Sequence, residues 1–297
     1  MEEGVPMTSG IASRRPKISV RFRHCLTVFA ALFLLLAFAC GPAPPEKGTP
    51  AFYWSAAKET YAGGDYMKTI DHLDGIVDKD SEYTARAFVW SLLVTSGLAS
   101  GYMDLADQYE AGAKLNKEAP ANFYRQVSRY RTQAGRLTLH FADTLAKFSE
   151  TKTDPVTIEF ALPPGTSGQV LELVSVAKGG LLPTASADAA EKRALERGIL
   201  LATVRAVGAP QDPPKAEEIL KSGGGKVPRA TFMLAMANTL YEEAGLYDWR
   251  KENNRDKRMI LCQRAQDVLK SLPESADTKA LGTKIRVALT EALSNAN

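Results

Sequence analysis

From Pro120 onward the apolar positions fall into a helical rhythm: Phe123, Val127, Tyr130, Ala134, Leu137, Phe141, Leu145 and Phe148 recur four and three residues apart. One face of a helix of about eight turns is thereby apolar throughout, with Arg125, Arg129, Arg136 and Lys147 on the other side. Upstream, Thr49-Pro50 reads as a cap with proline in the first helical position. The helix it starts carries Tyr53, Trp54 and Tyr61 and stops at Gly63-Gly64; Asp65 then caps a second, with Met67, Ile70, Leu73, Ile76 and Val77 on one side. Tyr83 to Leu98 is apolar nearly all round, which predicts a buried central helix, and a further helix is expected from Tyr102 to Leu115.

The texture changes after Asp154-Pro155. Val156 to Phe160 alternates like a short strand, and 151–167 reads as a connector between two helical halves. Helices are then expected at 168–178, 184–207, 214–221, 229–243, 256–272 and 276–296, the last aligning Leu281, Ile285, Ala288 and Ala292; Ser222-Gly223-Gly224-Gly225 reads as a flexible break. No series of strands supports a sheet. The fold class is all-α: an irregular array of antiparallel helix pairs with one short extended connector.

The N-terminus has a different pattern. The uncharged run Cys25–Ala39 has 15 residues, ~22 Å as a helix against a hydrocarbon core of ~30 Å. Arg14, Arg15, Lys17, Arg21 and Arg23 precede it, the order of a secretory signal. Ala37-Phe38-Ala39-Cys40 resembles the bacterial lipobox, in which the chain is cut before the cysteine and the new N-terminal cysteine receives lipid. The resemblance implies a signal peptide over 1–39, a Pro-rich tether over 40–50, and a body held at a membrane surface by lipid on Cys40. It also implies a bacterial envelope location, and Gly41 after the cysteine suits the outer membrane facing the periplasm. An uncleaved N-terminal anchor is the other reading of the same run.

Removing 39 of the 297 residues leaves 258 and takes away five Lys/Arg but only two Asp/Glu, so the remainder carries 32 of each. The formal charge of +3 belongs to the signal. A nucleic-acid partner thereby loses its electrostatic support. With Cys25 removed and Cys40 lipidated, only Cys262 remains; no intrachain disulfide is possible, and its apolar neighbours Met259, Ile260 and Leu261 predict a buried, inert thiol.

Tyr102-Met103-Asp104-Leu105-Ala106-Asp107-Gln108-Tyr109 resembles the first-helix signature of tetratricopeptide repeats, with Tyr102, Leu105, Ala106 and Tyr109 in the motif positions. Gly64-Asp65-Tyr66 resembles the turn of the same family. The resemblance implies a degenerate, tetratricopeptide-like array over 51–150, a connector over 151–183 and a second helical region over 184–297. A plain irregular bundle is the alternative.

Chemistry-bearing constellations are sparse. His72 lies among Asp71, Asp74 and Asp78, but as part of a solvated helical face; His140 flanks the apolar stripe. Gly223-Gly224-Gly225-Lys226 lacks the first glycine of a phosphate loop, having Leu220 there, and Val227 stands where Ser or Thr is needed. Gly165-Thr166-Ser167-Gly168 is followed by Gln169 where a nucleophile elbow needs glycine. Arg125, Arg129, Arg131 and Arg136, interleaved with Tyr124 and Tyr130, read as a face paired with Asp104, Asp107 and Glu110 rather than as an anion grip. Tyr247, Trp249 and Arg250 are the candidate partner-binding residues, since Trp and Arg carry interface energy; the other reading is that Leu246, Tyr247 and Trp249 fold back to cover the helix pair. No catalytic residue, metal ligand or cofactor is expected. The leading expectation is a membrane-tethered, non-enzymatic helical scaffold binding another envelope protein; the alternative is a small-ligand binding lipoprotein associated with a transporter.

Overall fold

The computed structural model describes residues 44–115, 117, 120–159, 184–208, 218, 221–222, 224–247 and 255–294. Helix α1 (Pro50–Ala62) starts where Thr49 accepts from the Phe52 N–H at 3.2 Å, with proline in a position where no donor is lost. Gly64, at φ 80°, turns the chain, and Asp65 accepts from Lys68 N–H at 3.2 Å to cap α2 (Tyr66–Val77). Trp54, Tyr61 and Trp90 form the aromatic centre of this end, with Trp90 5.1 Å from Trp54 and 5.2 Å from Tyr61 between ring centroids.

Helices α3 (Thr84–Leu115) and α4 (Pro120–Ser149) form a long antiparallel hairpin. Phe88 meets Phe148 at its base (5.7 Å between centroids), and Tyr109 meets Phe123 near its turn (6.2 Å). Helix α5 (Thr184–Ala206) lies along α3. Helices α6 (Arg229–Leu246), α7 (Arg255–Lys270) and α8 (Ala276–Ser294) follow, α7 packing on both α6 and α8. The all-α class is therefore observed. A single apolar core runs through 51–150 and 184–294, so the two expected helical regions share one interior.

Two expectations are corrected. The helices expected over 83–98 and 102–115 are one continuous helix of 32 residues. Its small residues serve packing, not termination: Gly97 and Gly101 admit the backbone of α5, and Thr95 and Ser96 return their hydroxyls to the Ser91 and Leu92 carbonyls at 2.6 and 2.7 Å. The expected break at 222–225 runs into a strand. Residues Gly225–Val227 (β2) pair antiparallel with Val156–Ile158 (β1), Val156 opposite Val227 and Ile158 opposite Gly225. Gly224 makes this possible, at φ 121° and with its α-carbon directly against the Ile158 carbonyl, where no Cβ fits.

Arg229 then locks the junction. Its backbone N–H donates to Asp154 at 3.1 Å, while its guanidinium donates to the Phe148 and Ser149 carbonyls at 3.2 and 3.0 Å, completing the C-terminus of α4. The expected helices at 168–178 and 214–221 lie outside the described residues or almost entirely so.

Candidate functional site

The repeat-signature residues Tyr102, Leu105, Ala106 and Tyr109 lie together, but in the middle of α3 rather than at the start of a helix, while Gly64 and Asp65 form the turn between α1 and α2 and Tyr66 opens α2. Leu105 and Ala106 are fully buried. The Tyr102 ring stacks on Tyr130 at 5.9 Å, and Tyr109 touches Tyr130 at 5.6 Å. The Tyr130 hydroxyl donates to Glu191 of α5 at 3.1 Å, the Tyr102 hydroxyl does so at 3.5 Å, and Arg129 adds a donor at 3.0 Å. Burial, reinforced by the Glu191 carboxylate, pushes the Tyr102 hydroxyl up to about 12, so it remains a donor. Five residues further along α5 the buried Tyr66 donates to Glu196 at 3.2 Å. Two glutamates of α5 are thus each held by tyrosines of the preceding helices, and these tyrosines tie the bundle together.

Tyr247 is only 8% exposed. It fits because Gly135 of α4 has no side chain: a Cβ there would stand 2.8 Å from the Tyr247 hydroxyl oxygen. Lys257 lies 5.5 Å from the ring centroid on the other side. Tyr247 therefore seals α6 onto α4 and is not a free contact residue. Its expected companions Trp249 and Arg250 lie outside the described residues, as do Cys40, Ala37, Phe38 and Ala39.

The arginine face is neutralised in part: Glu110 is a partner expected from its charge pattern, whereas Glu191 of α5 is not. Arg131 pairs with Glu110 at 2.6 Å, Arg129 with Glu191, and Asp104 with Arg197 of α5. His72 packs against the Tyr53 ring. His140 stands 3.1 Å from Asp74, within ion-pair range but off the line of a hydrogen bond. Together with Lys147–Asp78 at 2.7 Å and Arg264–Asp143 at 3.6 Å, it crosses a charged cleft of about 520 Å³ where α2, α4 and α7 meet. Among the described residues no three His, Cys, Asp or Glu are grouped to hold a metal ion, and no helix is long and apolar enough to cross a membrane.

A second cleft, of about 450 Å³, opens between the end of α5, α6 and α8. Leu234, Ala235 and Leu281 make it apolar inside; Arg205, Asn238, Asp277 and Lys284 supply polar groups. Glu242 takes both the Arg205 guanidinium (3.1 Å) and the Asn238 amide N–H (2.8 Å). Sequence reasoning missed this site. Its signal was present as Asp277 and Lys284 seven residues apart on one helix, but the facing helix is remote in sequence.

On the same helix α6 Glu243 is 2% exposed, with no hydrogen-bond partner for either carboxyl oxygen. Burial pushes its pKa up to about 8, against the opposing influence of the Thr138 hydroxyl and Arg205, with Glu242 adding to the rise. The Thr138 hydroxyl itself donates to the Ala134 carbonyl at 3.0 Å.

No protein-family model, characterised protein or solved structure matches the chain.

Proposed function

We propose that this chain is a lipid-tethered helical scaffold of a bacterial envelope that docks another envelope protein without catalysing a reaction. The observation that carries the reading is where the body begins. Lys79 donates to the Gly48 carbonyl at 3.0 Å, and Trp54 stacks on Tyr83 at 5.9 Å, so the first residues of the body sit at the Thr84 end of α3. From there α3 runs 32 residues, ~48 Å, to Leu115. Gly48 thus lies at the end of α3 remote from the hairpin turn. Leu115 and Tyr124 are 55% and 50% exposed at that turn, beside Lys117 and Arg125. An exposed aromatic and leucine among cations suit a protein partner.

Metabolic palmitate labelling of cells tests the tether: label on wild type is lost in Cys40→Ser, and equal labelling sinks the reading. Envelope crosslinking through a photoreactive residue at position 124, with Trp249→Ala run alongside, tests the docking surface; a dominant protein adduct is expected.

A second reading, a small-ligand carrier, has the cleft between α5, α6 and α8 in its favour. Its volume lies within the range of ligand pockets, and it combines an apolar interior with a few convergent polar groups. Native mass spectrometry of protein purified from cells tests it through a retained small molecule.

A further inference from the structure

The geometry points to this second cleft as a site for a short zwitterionic peptide, about three residues long, held by both ends. The inference rests on the ligand-carrying reading of the cleft and not on the lipid anchor.

The cleft holds more charge than it needs for its own structure. Arg205 is committed to Glu242, and so is the amide N–H of Asn238. Asp277 and Lys284 also line the cleft, and neither forms an ion pair among the described residues. They lie seven residues apart on α8, two turns along one side, a rise of ~10.5 Å. A free tripeptide in extended form carries its ammonium and carboxylate ~10 Å apart. Its ammonium meets Asp277 and its carboxylate meets Lys284, so the peptide runs parallel to α8. Leu234, Ala235 and Leu281 receive its side chains, and the Asn238 amide, whose N–H is taken by Glu242, still has a carbonyl oxygen that accepts a peptide N–H.

This arrangement selects on length and on both termini. A single amino acid spans one anchor but not the other. A dicarboxylate brings a second negative charge against Asp277, and a diamine brings a second positive charge against Lys284. A long chain cannot put both ends in the cleft. Recognition of opposite charges at a fixed separation is what discriminates here, since the apolar interior alone accepts many shapes.

The test is calorimetric titration of the full chain, purified in detergent, with alanyl-leucyl-alanine and with its N-acetylated and C-amidated forms. The free peptide binds, and each cap weakens binding by roughly tenfold or more, the loss of one charge-assisted contact. Asp277→Asn weakens the free peptide but leaves the N-acetyl form unaffected; Lys284→Gln does the same for the amide. Both side chains are exposed, and unchanged thermal melts confirm that the variants fold. Equal affinity for free and capped peptides, indifference to both substitutions, or no binding at millimolar peptide overturns the inference. If native mass spectra then show a retained molecule that is not a peptide, the ligand-carrying reading survives and the peptide assignment fails. If they show none, both fail.

Discussion

Gly97 and Gly198 put the backbones of α3 and α5 in direct contact. A Cβ on Gly97 would stand 2.5 Å from the α-carbon of Ile199, and one on Gly198 would run into the Gly97 carbonyl. One turn further, a Cβ on Gly101 would stand 2.6 Å from the Ala194 carbonyl oxygen. The close approach is what lets α5 reach the tyrosines of the other helices.

Alanine at either of the first two glycines is therefore costly, although alanine is the better helix former by about 1 kcal/mol. The obstacles are backbone atoms, which cannot swing aside. Gly97→Ala and Gly198→Ala each lose about 2 kcal/mol or more in urea denaturation. Gly245→Ala, with open space around its added methyl, gains about 0.5–1 kcal/mol. If Gly97→Ala unfolds at the wild-type midpoint, the helices are farther apart than described here.

Stability also depends on pH through Glu243. Its folded pKa of about 8 lies above the value of 4.5 of an unburied glutamate, so the folded state binds the proton more tightly. The resulting contribution is complete below about pH 4.5, declines as the pH rises, and is gone above about pH 8. Thermal melts of Glu243→Gln and wild type should coincide at the acid end. Toward pH 9 the variant becomes the more stable by on the order of 5 kcal/mol. A constant gap between the two across this range would mean that Glu243 does not change charge inside the fold.

Tyr66→Phe removes the hydroxyl that donates to the buried Glu196, leaving Lys192, 3.8 Å away, as a cationic neighbour. The loss should be about 1–2 kcal/mol, and Glu196→Gln in the same chain should restore part of it. Tyr124→Phe, on the exposed surface, should stay within about 0.5 kcal/mol of wild type. Chemical denaturation of the four proteins separates these outcomes.

Cys262 is 1% exposed, and burial pushes its thiol up to about 11, against the influence of Arg258. Iodoacetamide should leave the peptide containing Cys262 unmodified at neutral pH and label it fully in denaturant. Labelling of the native protein at the rate of a free thiol would show that the α7 packing opens readily.

Local signals made most of the helices legible: the apolar stripe from Phe123 to Phe148, the Thr49 cap before Pro50, and Asp65 after Gly64 all sit in the structure where their spacing placed them. What could not be read depends on partners distant in the chain. The stretch between Leu98 and Tyr102 resembles a break until α5 is set against it. The glycines before Lys226 resemble a linker until β1 arrives from Val156. The clefts belong to the same class, since Asn238 and Lys284 meet only through packing. Tyr247 was conspicuous in sequence as an aromatic in a charged stretch; its receptor, Gly135, is silent there.

The pairing of Val156–Ile158 with Gly225–Val227 has a consequence for the continuity of the chain. The polypeptide leaves and returns at one place, with paired α-carbons only ~5 Å apart, and α5 belongs to that excursion. Apart from the backbone on either side of it, what holds α5 is non-covalent: the glycine contact with α3, the tyrosines on its two glutamates, and the Arg197–Asp104 pair. A piece ending at residue 159 and a piece beginning at residue 184, produced as separate chains, should therefore find each other and copurify. In that sense the fold is a heterodimer whose two subunits happen to share one gene product.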